Sequence, residues 1–200
     1  FSSWASVYDS FLFRVYFTPV YKKQRCIFSE KQEVYFHDGA KFLDVACGTA
    51  EMISQLARSF PKMEFTGTDF APGMILKARE KTKELKNVNI IETSATNLPF
   101  PSQTFNVILC SEAFHHFYEP QKVLSEIYRV AKPNALFVLM DPAYDSTLEK
   151  IIFGFFAKLI EKYHKIYSRG EMKTLLGQSG FVIESSFNYF LNNFFVSKKK

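Results

Sequence analysis

Two stretches of the chain hold residues whose types and spacing suit the binding of a nucleoside. In Leu43-Asp44-Val45-Ala46-Cys47-Gly48-Thr49-Ala50 an apolar run gives way to a helical pattern, which puts Gly48 in a strand-to-helix turn. Small residues there let the backbone approach a ligand, and the exposed N–H groups of the helix start attract its anionic part. Alone, such a turn says little, because many carry a glycine for packing only. The next apolar run ends in Thr68-Asp69, 21 positions after Gly48. A carboxylate at that tip, ~20 residues past the turn, suits both hydroxyls of a ribose. Asp69 is equally placed to cap a helix opening at Pro72, and the two roles coexist only on different oxygens.

Elements must bring these residues to one edge, and the apolar periodicity supplies a regular set. Residues 41–46 read as a buried strand, 49–60 as a helix stopped by Pro61, and 63–69 as the next strand. Pro72 opens a helix reaching about Lys86. Strands follow at 88–92 and 105–110, separated by the turn Asn97-Leu98-Pro99-Phe100-Pro101. A helix over 120–131 buries Val123, Leu124, Ile127 and Val130 ahead of a strand at 136–141. Strands alternating with helices of ~10–15 residues imply parallel βαβ units with helices on both faces, whose ligands lie at the carboxyl ends of the strands. Residues 181–187 and 189–196 are spaced to pair as antiparallel strands.

Two further segments flank this core. Trp4, Val7, Phe11, Leu12 and Val15 recur at helical spacing and predict an N-terminal amphipathic helix ended by Pro19. Ile151, Ile152, Phe153, Phe155, Phe156, Leu159, Ile160 and Tyr163 are too many for one stripe, so that helix is either buried on most sides or covers an apolar pocket.

Composition removes several classes. The 200 residues suit one domain, and 47% hydrophobic with 22% charged residues is an ordinary globular balance, apart from 23 Phe. The net charge is +5, of which Lys198, Lys199 and Lys200 supply three, a run that reads as a solvated end. Outside residues 14–25 and that tail there is no basic stripe, so nucleic acid is not the expected partner. Cys26, Cys47 and Cys110 are odd in number and lack Cys-x-x-Cys spacing, which argues against a disulfide framework or a zinc ribbon and fits a reducing cytoplasm. No metal site is expected. The longest apolar stretch, 151–160, is too short for a membrane span, and the aromatic opening lacks the basic leader of a signal peptide, although Phe1 is no natural start.

Taken in order, the elements resemble the class I S-adenosylmethionine-dependent methyltransferases, in particular the small-molecule branch that includes ubiquinone- and menaquinone-biosynthesis enzymes. The match runs over residues 40–141: the Gly48 turn, Asp69, the 97–101 turn leading to Phe105-Asn106-Val107-Ile108, then His115-His116-Phe117 and Glu126-Ile127-Tyr128-Arg129-Val130-Ala131-Lys132-Pro133. The resemblance implies a Rossmann-like α/β fold, with a mostly parallel seven-stranded sheet and an antiparallel last strand. It implies one domain over 1–200: a helical cap (1–39), a cofactor-binding core (40–141), a helical substrate-side insertion (142–180) and a C-terminal strand pair (181–200). S-adenosylmethionine is the implied cofactor. Asp44, Ala46, Cys47 and Gly48 would hold its methionine end and Asp69 the ribose. Phe70 and Met74 would flank the adenine, Ser94 and Ala95 would meet its edge, and Cys110 and Ser111 would pass beside the sulfonium.

The chain departs from the family pattern in several places. Of the three glycines in acidic-x-Gly-x-Gly-x-Gly it keeps only the middle one, with Ala46 and Ala50 at the other two. Ser94 stands where an Asp is common, Asn106 precedes Val107 in place of Asp, and Asn134-Ala135 replaces a Gly-Gly turn. A sulfonium is already a strong electrophile, so the protein mainly aligns and desolvates, and a base is needed only when the acceptor holds a proton. His115, His116 and Glu112 are the candidates for that work, against the plainer reading of loop hydrogen bonding. Asp141-Pro142-Ala143-Tyr144 imitates a signature of amino-methylating nucleic-acid enzymes, but it follows the fifth strand rather than the fourth; Tyr144 is placed to border the acceptor. The expected activity is methyl transfer to a small apolar or aromatic acceptor. The alternatives are a catalytically degenerate cofactor-binding module and a nicotinamide-dependent oxidoreductase, which would want Gly-x-Gly-x-x-Gly where this chain has Ala46, Gly48 and Glu51.

Overall fold

Seven strands, β1 Lys41–Val45, β2 Glu64–Asp69, β3 Val88–Glu92, β4 Phe105–Ser111, β5 Ala131–Pro142, β6 Phe181–Tyr189 and β7 Asn192–Lys199, join in one sheet in the order β3-β2-β1-β4-β5-β7-β6. The coordinates are a computed structural model that describes residues 11–142, 165–189 and 192–200, with side chains from residue 18 onward within those ranges. Strands β1 to β5 pair in parallel, and β7 runs antiparallel to both β5 and β6. This is the mostly parallel sheet expected from the alternation of apolar runs. Strands β2 and β3 extend the sheet to one side of β1 and β4 lies on the other, so β1 and β4 flank a topological switch point, the usual ligand crevice of an open α/β sheet.

The continuous apolar runs of the strands are explained by burial on both faces, since successive side chains point to opposite sides. Phe42, Val107, Leu109, Val138 and Phe194 enter one core with α1 (Phe11–Glu30), α3 (Glu51–Ser59) and α4 (Pro72–Thr82), near the short α2 (Gln32–Tyr35). Leu43, Ile108, Phe137, Leu139 and Phe195 enter the other, with α5 (Pro120–Val130) and α6 (Arg169–Gln178). The phenylalanines are concentrated here: Phe28 and Phe65 lie 5.6 and 5.3 Å from Phe42 between ring centroids.

Three expectations need correction. Helix α1 does not end at Pro19 but continues to Glu30. Proline inside a helix costs about 3 kcal/mol, yet Val20, Ile27 and Phe28 on this helix are buried, each worth about 1.5–3 kcal/mol, so packing outweighs the lost hydrogen bond. Helix α4 stops at Thr82, short of Lys86, in a turn closed by Leu85 N–H to Thr82 O at 2.8 Å. Of the three terminal lysines only Lys200 is a solvated end. Lys199 is buried, and its ammonium donates to Tyr128 O (2.8 Å) and Ala131 O (2.9 Å), satisfying carbonyls at the C-terminus of α5, where a cation is favoured. Lys198 pairs with Glu184 at 2.5 Å.

Several motif residues turn out to be structural. Arg129 donates to Leu98 O (2.9 Å) and Phe100 O (2.7 Å) while Glu126 accepts from Leu98 N–H (2.8 Å), so the α5 pair locks the 97–101 turn. Asn106 Oδ1 accepts from Lys41 N–H (3.1 Å) and the Lys132 ammonium (3.0 Å). Asn134 takes the left-handed φ of 62° that the usual glycine would adopt, a conformation Asn tolerates. Trp4, Val7, Tyr144 and the aromatic stretch 151–163 lie outside the described residues.

Candidate functional site

The β1–α3 turn is built from three consecutive alternate residues in the left-handed region: φ is 58° at Ala46, 54° at Gly48 and 58° at Ala50. These are the three glycine positions of the family pattern, so the turn keeps its shape although two of them carry a methyl group. Its amides are tied down locally. Cys47 N–H donates to Thr68 O (2.8 Å), Ala50 N–H to Cys47 O (2.9 Å) and Gly48 N–H to Asp69 Oδ2 (2.9 Å). A Cβ built on Gly48 would meet nothing within 4 Å, so this backbone faces open space.

Asp69 joins the tips of β1 and β2. Besides Gly48, it accepts from Ala71 N–H through Oδ1 at 2.9 Å. The expected capping role is therefore changed: Ala71 is the N-cap of α4, and Asp69 closes an Asx turn just ahead of it. A carboxylate offers about four lone-pair sites, so each oxygen retains capacity for a ligand hydroxyl. Burial raises the Asp69 carboxyl above the ordinary range, while its hydrogen bonds to Ala71, Gly48 and Phe70 pull the other way. Asp44, beneath the turn, is also raised, by burial and then by the charge of Asp69.

Around these residues lies a cavity of about 440 Å³. Nine of the eleven expected cofactor residues line it: Ala46, Cys47 and Gly48 from the turn, Asp69, Phe70 and Met74 from the β2–α4 junction, Ser94 and Ala95 after β3, and Ser111 at the end of β4. Asp44 and Cys110 do not; both are buried behind the wall. Burial pushes the Cys47 and Cys110 thiols up, followed for Cys47 by the charges of Asp44 and Asp69 and for Cys110 by those of Asp141 and Asp44, so neither is poised as a thiolate.

The catalytic candidates divide in the same way. Glu112, with φ 53°, and His116 line the cavity, whereas His115 is turned into the protein. The 3₁₀ turn Phe114–His116 does this: neighbouring residues on it point about 120° apart. His115 Nδ1 lies 3.0 Å from Asp141 Oδ1, which also accepts from Phe114 N–H at 3.0 Å. The rings of His115 and His116 are 4.0 Å apart between centroids. Asp141 thus holds the 3₁₀ turn and, through it, the cavity-facing His116.

Residues absent from the sequence motifs complete the wall, among them Tyr21, Thr49, Glu51, Phe117 and Tyr118. Helical spacing gave no sign of Tyr21, because the helix that carries it was expected to have ended. No Lys or Arg lines the cavity among the described residues, whereas Glu51, Asp69, Glu112 and Glu119 do. Such a site favours a cation and disfavours a pyrophosphate. That runs against a dinucleotide and suits a nucleoside bearing a positive sulfur.

Comparison with known proteins agrees. Residues 43–139 match the family model described as a methyltransferase domain. A demethylmenaquinone methyltransferase from Geobacillus sp. (strain WCH70) is 31% identical over 167 residues, 72% of this chain and 71% of that protein. A solved SAM-dependent methyltransferase from Aquifex aeolicus superposes with a TM-score of 0.76 at 22% identity, over 100% of this chain and 99% of that one. The [4+2]-cyclase SpnF has a TM-score of 0.72 at 16% identity, over 86% and 79%; fold likeness by itself therefore does not fix the chemistry. The chain belongs to the class I S-adenosylmethionine-dependent methyltransferases. Within that class it falls in the quinone-biosynthesis-like branch, and its cofactor is S-adenosylmethionine. The residues present fit that cofactor: an open backbone at Gly48, a carboxylate at Asp69 and an acidic wall around the place for a sulfonium.

Proposed function

We propose that this methyltransferase acts on a small aromatic acceptor carrying a hydroxyl, of the reduced demethylated quinone type on which its relatives are named. One observation carries the reading: the cavity that holds the Gly48–Asp69 cradle is also lined by Phe117, Tyr118, Glu112 and His116. These residues add aromatic surface for an apolar ring and groups able to take a proton.

In this reading Asp69 accepts from the ribose hydroxyls with the lone pairs its backbone bonds leave over. Phe70 and Met74 lie against the adenine, with Ser94 and Ala95 at its edge. Ala46, Cys47 and Gly48, with Asp44 beneath them, hold the methionine end, and Ser111 follows the sulfur, with Cys110 buried behind it. Bound there, the cofactor supplies an electrophilic methyl group and leaves as a neutral thioether. His116 takes the proton that the acceptor hydroxyl releases, held in place by His115 and Asp141, while Glu112 stabilises positive charge beside it. Residues 1–39 act as the cap, 40–141 as the cofactor core and 142–180 as the acceptor-side insertion, in a reducing cytoplasm.

The test is incubation with S-adenosylmethionine and a panel of reduced demethylated quinones and phenols, read by mass for addition of one methyl group. Product from the aromatic panel supports the assignment. Turnover of amines or nucleic acid alone, or of none of the panel, contradicts it.

A further inference from the structure

Among the described side chains of α1, the buried ones are Val20, Gln24, Ile27 and Phe28, which follow the spacing of a single helical stripe. One of them is polar. Gln24 is fully buried, and its Nε2 donates to Ser111 Oγ at 2.6 Å and to Met140 Sδ at 3.2 Å. Its Oε1 is buried with no hydrogen-bond partner among the described residues. An apolar side chain would fill the same place without that orphan, so packing alone does not call for an amide here.

The amide fixes the polarity of a hydroxyl. Ser111 and Met140 are partners across β4 and β5, so Gln24 lies over both strands near their carboxyl ends. A thioether can only accept, so the NH₂ end of the amide faces this pair rather than its oxygen. Ser111 Oγ is therefore an acceptor toward α1, and its own hydrogen points elsewhere. No hydrogen bond takes that hydrogen among the described residues. Ser111 lines the cavity, which leaves a ligand to receive it.

The place of this hydroxyl follows from the sheet. Ser111 ends β4, one residue after Cys110, which pairs with Val45 just ahead of the Ala46–Gly48 turn. From Ser111 the chain passes directly to Glu112 and on to His116, which line the same cavity. The hydroxyl thus joins the turn that would hold the cofactor to the groups that would serve the acceptor. In-line attack on a sulfonium methyl brings the two ligands together at such a junction.

We propose that Ser111 donates its hydroxyl hydrogen bond to the acceptor oxygen that His116 deprotonates, and that Gln24 is the positioning residue that points it there. The donor favours the negative charge that develops on that oxygen and helps to hold the ring in line with the methyl group. This rests on the hydroxylated aromatic acceptor proposed above. It gives α1 a part in acceptor recognition through a residue that does not itself line the cavity.

The test compares the full chain with Ser111→Ala, Gln24→Met and the double variant. Steady-state kinetics use S-adenosylmethionine with reduced demethylmenaquinone carrying a short side chain, and calorimetry uses S-adenosylhomocysteine. Loss of one hydrogen bond to a charged oxygen predicts a kcat about tenfold lower or more for Ser111→Ala. Alanine keeps the Cβ, so affinity for S-adenosylhomocysteine should stay within about threefold, which also shows that the variant is folded. Gln24→Met removes the orphan acceptor together with the donor, so its melting temperature should be kept or raised while kcat falls. The double variant should be no slower than Ser111→Ala, because Gln24 acts only through that hydroxyl. Losses that multiply in the double variant, an unchanged kcat in either single variant, or a loss of S-adenosylhomocysteine affinity as large as that of kcat overturns the proposal and leaves the acceptor reading standing. If the unaltered chain binds S-adenosylhomocysteine but does not methylate reduced demethylmenaquinone, the acceptor reading fails and this proposal with it.

Discussion

Asp69 Oδ2 accepts the Gly48 N–H at 2.9 Å while Oδ1 accepts that of Ala71, so one carboxylate fixes the turn after β1 and the start of α4 together. The carboxylate expected to clamp a ribose is also a brace for the cradle. Asp69→Asn turns one accepting oxygen into an NH₂ group that faces a backbone donor. Hydrogen bonds to charged groups are worth about 1.5–3 kcal/mol, so affinity for S-adenosylhomocysteine should fall at least tenfold and the melting temperature should drop, read by calorimetry and circular dichroism.

Ala46 and Ala50 occupy left-handed backbone at φ 58° each, where a Cβ costs roughly 1–2 kcal/mol. Ala46→Gly and Ala50→Gly each relieve that strain against a gain in unfolded-state entropy. The expected result is a rise in melting temperature of about 2–4 °C for the double variant, with cofactor affinity kept or improved. A fall in both quantities would mean that the methyl groups pack productively.

Asp44 and Asp69 share one buried corner and both have raised carboxyl pKa values. Between the unfolded value of about 3.9 and the higher folded value, the folded chain binds more protons than the unfolded one. Stability of the ligand-free protein is thus greatest below about pH 4 with respect to these groups, and it declines as pH rises toward the folded values. Asp44→Asn should flatten that decline in a melting series against pH and raise stability at neutral pH. The same change should weaken binding of the cationic cofactor more than that of neutral S-adenosylhomocysteine.

His116 faces the cavity and His115 faces Asp141. With a hydroxylated acceptor, His116→Ala should lower kcat about 10²–10⁴-fold and leave cofactor affinity unchanged. Asp141→Asn should give a smaller loss and alter the acid limb of the kcat/KM profile against pH. Equal losses of rate and cofactor binding in either variant would point to a structural role alone.

Much of this was legible in the chain. Apolar runs and the prolines at 61 and 72 marked the strands and helices of the core, because burial on both faces of a parallel sheet leaves continuous hydrophobic segments. The interval between Gly48 and Asp69 marked the cradle. What escaped was decided by tertiary contacts. Pro19 reads as a stop, but the burial of Val20, Ile27 and Phe28 carries α1 through it, and with α1 came Tyr21 and Gln24. The sequence also offered His115 and His116 as equals, and only the 3₁₀ turn and Asp141 tell them apart. Lys199 looks like a tail residue until β7 brings it against the last turn of α5.

The most direct test of the cradle is a thermal-shift titration of the unaltered chain with S-adenosylhomocysteine and, in parallel, NAD. At ~100 times its dissociation constant a ligand stabilises by about 2.7 kcal/mol. A saturable rise with S-adenosylhomocysteine and none with NAD is the expected result. A rise with NAD, or no response to S-adenosylhomocysteine at millimolar concentration, would contradict the reading of Gly48 and Asp69 as the two sides of a nucleoside site.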